Sequence, residues 1–209
     1  MATRQLYFSP NSPYARKVRI VLAEKDLAFE AKPIDTNNLP EGYRHLNPNL
    51  RVPVLADGER TLFESNVILD YLLRTYPEQP AGAARPPLAA SLTRPERHWD
   101  DMLVLVTVET LLDTGLNLFQ LTRDGIRPEQ ASYLRKELAR TQTCLDWLET
   151  RFTPEGYAPG QWSIQDLNLV CALTWADFRK PFAWRGRKNL ERVVAGYAGR
   201  PSVTSTQPG

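Results

Sequence analysis

An α+β chain is predicted, with a short mixed α/β region leading into a longer, purely helical one. Three observations predict it. Strand-length apolar runs alternate with helical periodicity up to about residue 76, a proline- and alanine-rich break follows, and beyond it apolar residues recur only at helical steps.

The first region reads element by element. Leu6-Tyr7-Phe8 is strand-like, and Ser12-Pro13 then opens a helix predicted over 13–25, with serine suited to the N-cap and proline to the first helical position. Ala15, Val18 and Leu22 make its buried stripe, leaving Arg16, Lys17, Arg19 and Glu24 to face elsewhere. A second strand is predicted near 29–34. Val54-Leu55-Ala56 and Thr61-Leu62-Phe63 flank Asp57-Gly58, a strong signal for a tight antiparallel hairpin. Ser65 can cap a helix running to 76, with Val67, Ile68, Tyr71 and Leu72 inward. This order suits a small open sheet with helices.

Residues 1–77 therefore form one expected domain. The linker, 78–90, carries Pro80, Pro86 and Pro87 among alanines, which no helix continues through. The second domain spans 91–209. Trp99, Met102, Leu103, Val106 and Leu111 fit one long helix; Leu134, Leu138, Thr141, Leu145 and Leu148 mark the packing stripe of another. Ser163-Ile164-Gln165-Asp166 resembles a capping box with Asp in place of Glu, and the nearly all-apolar 167–178 behind it predicts a central helix. Residues after Gly199 read as a weakly structured tail.

Composition narrows the function classes. Of 209 residues, 42% are hydrophobic and 24% charged, enough apolar material for a real core. A formal charge of +2 is too small to argue for nucleic acid or an anionic membrane as partner. Apolar runs break off before 18 residues, so no membrane span is expected, and no secretory leader pattern precedes the first strand. Cys144 and Cys171 make no disulfide framework, which fits a reducing cytoplasm, and they read as small core residues. His45 and His98 stand in no ligand spacing, so no metal is expected.

Three places carry candidate chemistry. Ser12 sits at a strand-to-helix junction, beside the unpaired N–H groups and positive end of the helix, where an anion such as a thiolate is favoured. A hydroxyl hydrogen bond contributes roughly 1.5–3 kcal/mol to an anion. The helix end adds up to about 2 kcal/mol. At about 1.4 kcal/mol per pKa unit, the two together lower a bound thiol by one to about three units. A plain N-cap explains Ser12 equally. Second, Val52-Pro53 precedes a strand; a cis bond there turns the Val52 backbone outward as an edge for a peptide-like ligand, whereas a trans proline only starts the strand. Third, Glu64-Ser65 at a helix start can hold the ammonium and carboxylate of an amino-acid end, or merely cap the helix.

In order and spacing, these pieces resemble the cytosolic glutathione transferases. The resemblance rests on the run from Leu6 to Lys25, on Asn47-Pro48 with Val52-Pro53-Val54-Leu55, on Leu62-Phe63-Glu64-Ser65-Asn66-Val67-Ile68, and on Ser163–Asp166, which looks like that family's folding cap. It spans essentially the whole chain. It implies a thioredoxin-like first domain with a mixed four-stranded sheet, an all-helical second domain, and a homodimer.

The resemblance also implies roles. Ser12 would donate to the glutathione sulfur, Pro53 would be the cis-proline with Val52 pairing the cysteinyl backbone, Glu64 and Ser65 would hold the γ-glutamyl end, and Arg51 would lie near the glycyl carboxylate. Tyr7 is a rival donor, since other classes use a tyrosine near the end of the first strand; Ser9 and Asn11 are lesser candidates. Asp100 and Asp101 stand where relatives sometimes reach the γ-glutamyl amine from the partner subunit. Serine rather than cysteine at 12 argues against disulfide exchange, and Asn11-Ser12-Pro13 lacks the Ser-Ser-Cys run of the isomerase-like class. The implied activity is conjugation of glutathione, as co-substrate, to a hydrophobic electrophile bound between the domains, with peroxide reduction as a side activity. A transcription-associated branch, the stringent starvation protein type, shares the Val18–Lys25 and Asn47-Pro48-Asn49 wording and implies a non-catalytic interaction protein instead.

Overall fold

A computed structural model describes residues 4–78, 80, 82, 83 and 86–209, so the expected linker lies partly outside the described residues. The chain divides into two compact units, Met1–Leu92 with Arg200–Gly209, and Thr93–Gly199.

In the first unit, strand β1 (Gln5–Phe8) leads to helix α1 (Pro13–Glu24), strand β2 (Glu30–Pro33), a one-turn helix α2 (Tyr43–Leu46), strands β3 (Val54–Asp57) and β4 (Arg60–Phe63), and helix α3 (Ser65–Thr75). The sheet order is β2-β1-β3-β4; β1 pairs β2 in parallel and β3 antiparallel, and β3–β4 is the expected hairpin. Alternation along β1 sends Leu6 and Phe8 into the core under the helices and leaves Gln5 and Tyr7 half-buried on the other face. On that face Ile34, Tyr43, Val52 and Val54 form a second apolar cluster, with Tyr7, Leu46 and Phe63 packed against it.

Two expected faces are corrected. On α3 the buried apolar residues are Ile68, Leu69, Leu72 and Leu73, whereas Val67 is exposed and Tyr71 half-buried. Leu69 and Leu73 complete the i, i+3, i+4 stripe that packs on α1, and it lies one step round the helix from the expected one. On α1, Arg16, Lys17 and Glu24 are buried rather than turned to solvent. For Arg16 and Glu24 the partner is the segment after Gly199, which holds a short helix, α8 in chain order (Pro201–Thr204), against α1 and is not a loose tail. Arg16 donates from Nη2 to the Val203 carbonyl at 3.0 Å and from Nε to Thr206 Oγ1 at 3.3 Å. Arg200 grips Glu24 with Nε at 2.8 Å and Nη2 at 2.6 Å.

The second unit holds helices α4 (His98–Arg123), α5 (Ser132–Glu149), α6 (Ile164–Arg179) and α7 (Lys188–Tyr197). Helix α6 is buried from Ile164 to Leu173 and is central, as its apolar run predicts. On α5, Leu134, Thr141, Leu145 and Leu148 are buried, while Leu138 reaches the surface. By length and composition α4 belongs to a helix apolar enough to cross a membrane. Val104, Leu105, Val108, Leu111 and Leu112 are its buried face, packed on α5 and α6, which accounts for that composition in a core helix. Trp99, Leu103 and Val106, 78%, 58% and 55% exposed, run along its outer face.

The Ser163–Asp166 capping box is present: Ser163 Oγ accepts from the Asp166 N–H at 3.0 Å, and Asp166 accepts from the Ser163 N–H at 3.2 Å, the Ser163 hydroxyl at 2.6 Å and the Tyr157 N–H at 2.8 Å. Burial pushes the Asp166 carboxyl up from 3.8 to about 6, against the pull of these donors. A folded-state value above the unfolded one favours the protonated fold, so the stabilisation is full below about pH 4 and lost as pH rises through 6. Relative to Asp166→Asn, wild-type stability is expected to drop by on the order of 3 kcal/mol across that window. Urea unfolding followed by tryptophan fluorescence checks this, and parallel pH curves for the two proteins would refute it.

Candidate functional site

Sheet register gathers three separate segments at one end of the first unit. Tyr7 pairs with Val54 and Val54 with Phe63, so the chain leaving β1 towards Ser12, the Val52–Pro53 step into β3, and Glu64–Ser65 leaving β4 are neighbours by topology.

Ser12 is the N-cap of α1, with φ −77° and ψ 121°. Its hydroxyl oxygen accepts from the Ala15 N–H at 3.2 Å, and its own N–H donates to the Ser9 carbonyl at 3.0 Å. Capping uses the oxygen's lone pair and leaves the hydroxyl proton available to an anion, so cap and thiolate donor are compatible roles for one side chain. Arg19 braces the loop: its guanidinium lies 5.0 Å over the Phe8 ring, and Nη1 donates to the Pro10 carbonyl at 3.5 Å. Asn11 Oδ1 accepts from the Gly209 N–H at 3.1 Å. Tyr7 is on the opposite sheet face from α1; its hydroxyl donates to Gln5 Oε1 at 3.0 Å and its ring meets Tyr43 edge-on at 6.4 Å.

The Val52–Pro53 bond is cis. The loop before it is held by side chains. Asn47, 1% exposed, donates from Nδ2 to the Arg51 carbonyl at 2.8 Å and accepts the Asn49 N–H on Oδ1 at 2.9 Å. The Tyr43 hydroxyl also donates to the Arg51 carbonyl, at 2.9 Å; burial, with Tyr7 beside it, pushes this phenol up to about 12 and keeps it a donor. The Arg51 side chain is exposed. Among the described residues, the Val52 N–H and C=O have no protein partner, which leaves an edge for an extended ligand.

Glu64 has φ 66°, in the region that favours glycine, and its carbonyl receives the first α3 bond from the Ile68 N–H at 3.0 Å. Its carboxylate is exposed and accepts from Asn49 Nδ2 at 2.6 Å. Ser65 is buried at the first turn of α3.

Other candidates are accounted for structurally. Asp101 does not face outward: it is buried, takes Arg94 Nη2 at 2.6 Å and the Tyr157 hydroxyl at 2.9 Å, and, although burial alone would raise it, these donors hold it below the usual carboxylate range. Asp100 is exposed and paired with Arg97 at 2.8 Å. Burial pushes the Cys144 thiol up, away from reactivity. No group of three or more metal-ligating side chains occurs among the described residues. Asn47, Asn49 and Tyr43 received no role from sequence. The signal was the Asn-Pro-Asn run, whose asparagines favour side-chain turns, but their partners four to fifteen positions away are set by the fold.

Comparison with known proteins bears on the family and the fold. The family model described as "Glutathione S-transferase, N-terminal domain" matches residues 6–80. A stringent starvation protein A homolog of Pasteurella multocida is 31% identical over 172 residues, covering 78% of this chain and 76% of that protein. Its counterpart in Haemophilus ducreyi is 33% identical over 105 residues, 48% of this chain and 49% of the relative, so the match spans about half that protein's length. Glutathione S-transferase 3 of Zea mays is 28% identical over 218 residues, covering 99% and 94%. Among solved structures, a glutathione S-transferase of Methylobacterium radiotolerans in complex with glutathione sulfonate superposes with a TM-score of 0.81 at 25% identity, covering 99% of this chain and 95% of that one. The thioredoxin-like sheet unit with a helical unit is the fold this chain shares with that solved structure. The chain belongs to the glutathione S-transferase superfamily.

Proposed function

We propose that this chain is a glutathione transferase in which Ser12 stabilises the glutathione thiolate for attack on a hydrophobic electrophile. The observation that carries the reading is the Ser12 hydroxyl itself, which accepts from the Ala15 N–H and keeps its proton free at the positive end of α1. Glutathione lies with its cysteinyl backbone along Val52 beside cis-Pro53, its γ-glutamyl end at Glu64 and Ser65, and its glycyl carboxylate towards Arg51. The sulfur forms the new bond to the electrophilic carbon, the leaving group departs with the bonding pair, and fixing the tripeptide makes the encounter effectively unimolecular. Peroxide reduction by the same thiolate is a side activity of this reading.

Isothermal titration with glutathione, followed by a panel of aryl and alkyl electrophiles, tests it. Micromolar to millimolar binding with turnover on at least one electrophile is expected; absence of binding sinks it. The second reading, a non-catalytic interaction protein, is favoured by the stringent starvation protein homologs among the relatives. It expects the protein to pass unretained through immobilised glutathione.

The protein acts as a homodimer in this proposal, joined through the exposed apolar stripe Trp99, Leu103 and Val106 of α4. Leu103→Glu is expected to convert the dimer to monomer in sedimentation experiments. A monomeric wild type would refute the assembly. Two cysteines outside any disulfide suit a cytoplasmic setting.

A further inference from the structure

Glu64 is an acid among the segments that the sheet register gathers, and its carboxylate is already held by a neutral neighbour. Asn49 Nδ2 donates to Glu64 Oε1 at 2.6 Å, linking the loop before β3 to the start of α3. Asn49 is itself fixed from behind. Its N–H donates to Asn47 Oδ1 at 2.9 Å, and Asn47 is buried and tied both to the Arg51 carbonyl at 2.8 Å and, through its own N–H, to the Tyr43 carbonyl at 3.1 Å. A continuous run of hydrogen bonds therefore leads from the buried Tyr43 to an exposed carboxylate.

Three physical points give that link a purpose. A glutamate side chain on the surface samples several rotamers, and one fixed donor selects among them before a ligand arrives. The amide adds no charge, so the full negative charge of Glu64 is left for a cationic partner; a lysine or arginine at 49 would compete for it. The bond occupies one site on Oε1 and leaves Oε2 and the remaining lone pairs open.

We propose that Asn49 is a positioning residue: it holds the Glu64 carboxylate in one orientation for the ammonium of the γ-glutamyl end, and so sets how strongly the site prefers a free amine over a blocked one. The inference rests on the glutathione reading above and names the residue that makes that end of the site selective.

The test uses the full chain and two ligands, glutathione and N-acetylglutathione, whose amine is a neutral amide. Isothermal titration of the wild type is expected to show about 10²-fold tighter binding of glutathione. Asn49→Ala keeps the backbone N–H that bonds Asn47 and removes only the link to Glu64. It is expected to weaken glutathione about tenfold, leave N-acetylglutathione unchanged, and so shrink the preference to about tenfold. On a Glu64→Gln background the same substitution is expected to change nothing further. Equal weakening of both ligands, no change in either, or a wild type that binds both alike overturns the proposal. A wild type that binds neither ligand instead overturns the glutathione reading on which it rests. Asn49 is exposed, and unchanged far-UV circular dichroism confirms that the variant folds.

Discussion

Replacing Ser12 with alanine is expected to lower kcat about 10- to 10²-fold while the Kd for glutathione stays within about threefold. In the proposed complex the hydroxyl bonds a charged sulfur and little else of the tripeptide, so its loss is expected to fall on the reacting form and not on binding. Ser12→Ala also removes a cap, at about 1 kcal/mol, so a stability loss alone does not establish the assignment. Two companions separate the roles. Ser12→Asp caps α1 with a carboxylate yet sets a negative charge against the thiolate, and is expected to be folded and inactive. Ser12→Thr retains both functions and is expected to keep most turnover. The pH–rate profile adds a readout: its alkaline-rising limb should lie below the free-thiol value near 8.5 in the wild type and move up in Ser12→Ala. Wild-type turnover in Ser12→Ala would leave this residue as a helix cap alone.

Arg200→Ala is expected to destabilise the first unit by about 3–5 kcal/mol. Arg200 and Glu24 are only 4% and 6% exposed in their side chains and are joined by two bonds; Arg200 also donates to the Pro86 carbonyl at 2.8 Å, and the Ser202 hydroxyl to Glu24. Removing the arginine strands a buried carboxylate. Replacing both partners, as Glu24→Leu with Arg200→Met, is expected to recover much of the loss, because desolvation of two charges nearly offsets their attraction. The five tryptophans, at 99, 147, 162, 175 and 184, all lie in the second unit, so fluorescence does not follow this change. Hydrogen exchange at the β1 and α1 amides does, and unaltered protection there would refute the expectation.

Elements announced by local chemistry were legible in the sequence. Ser12-Pro13, Asp57-Gly58 and Ser163–Asp166 each name a helix start or turn through nearest-neighbour hydrogen bonds, and each is found where expected. Burial was legible only where one face meets one partner. Helix α1 packs against α3 and also against α8, and Arg200 just before α8 is 176 positions from its partner Glu24, so Arg16 and Glu24 are buried without any local sign. On α4 the apolar period is correct, yet the stripe Trp99, Leu103, Val106 is the outer one, because a helix apolar on two sides does not say which side is core. The candidate site divides likewise. Ser12, Val52, Pro53, Glu64 and Ser65 stand at junctions readable from sequence, while the bonds from Asn47, Asn49 and Tyr43 to the Arg51 carbonyl and the Glu64 carboxylate depend on loop conformation.

The clasp of residues 200–209 on α1 bears on biosynthesis. A ribosome releases the opening sheet segments long before it makes Arg200, and until then Arg16 and Glu24 await their counterparts in water. The amino-terminal unit thus matures last although it is translated first, and a nascent chain halted before residue 200 is a natural target for chaperones.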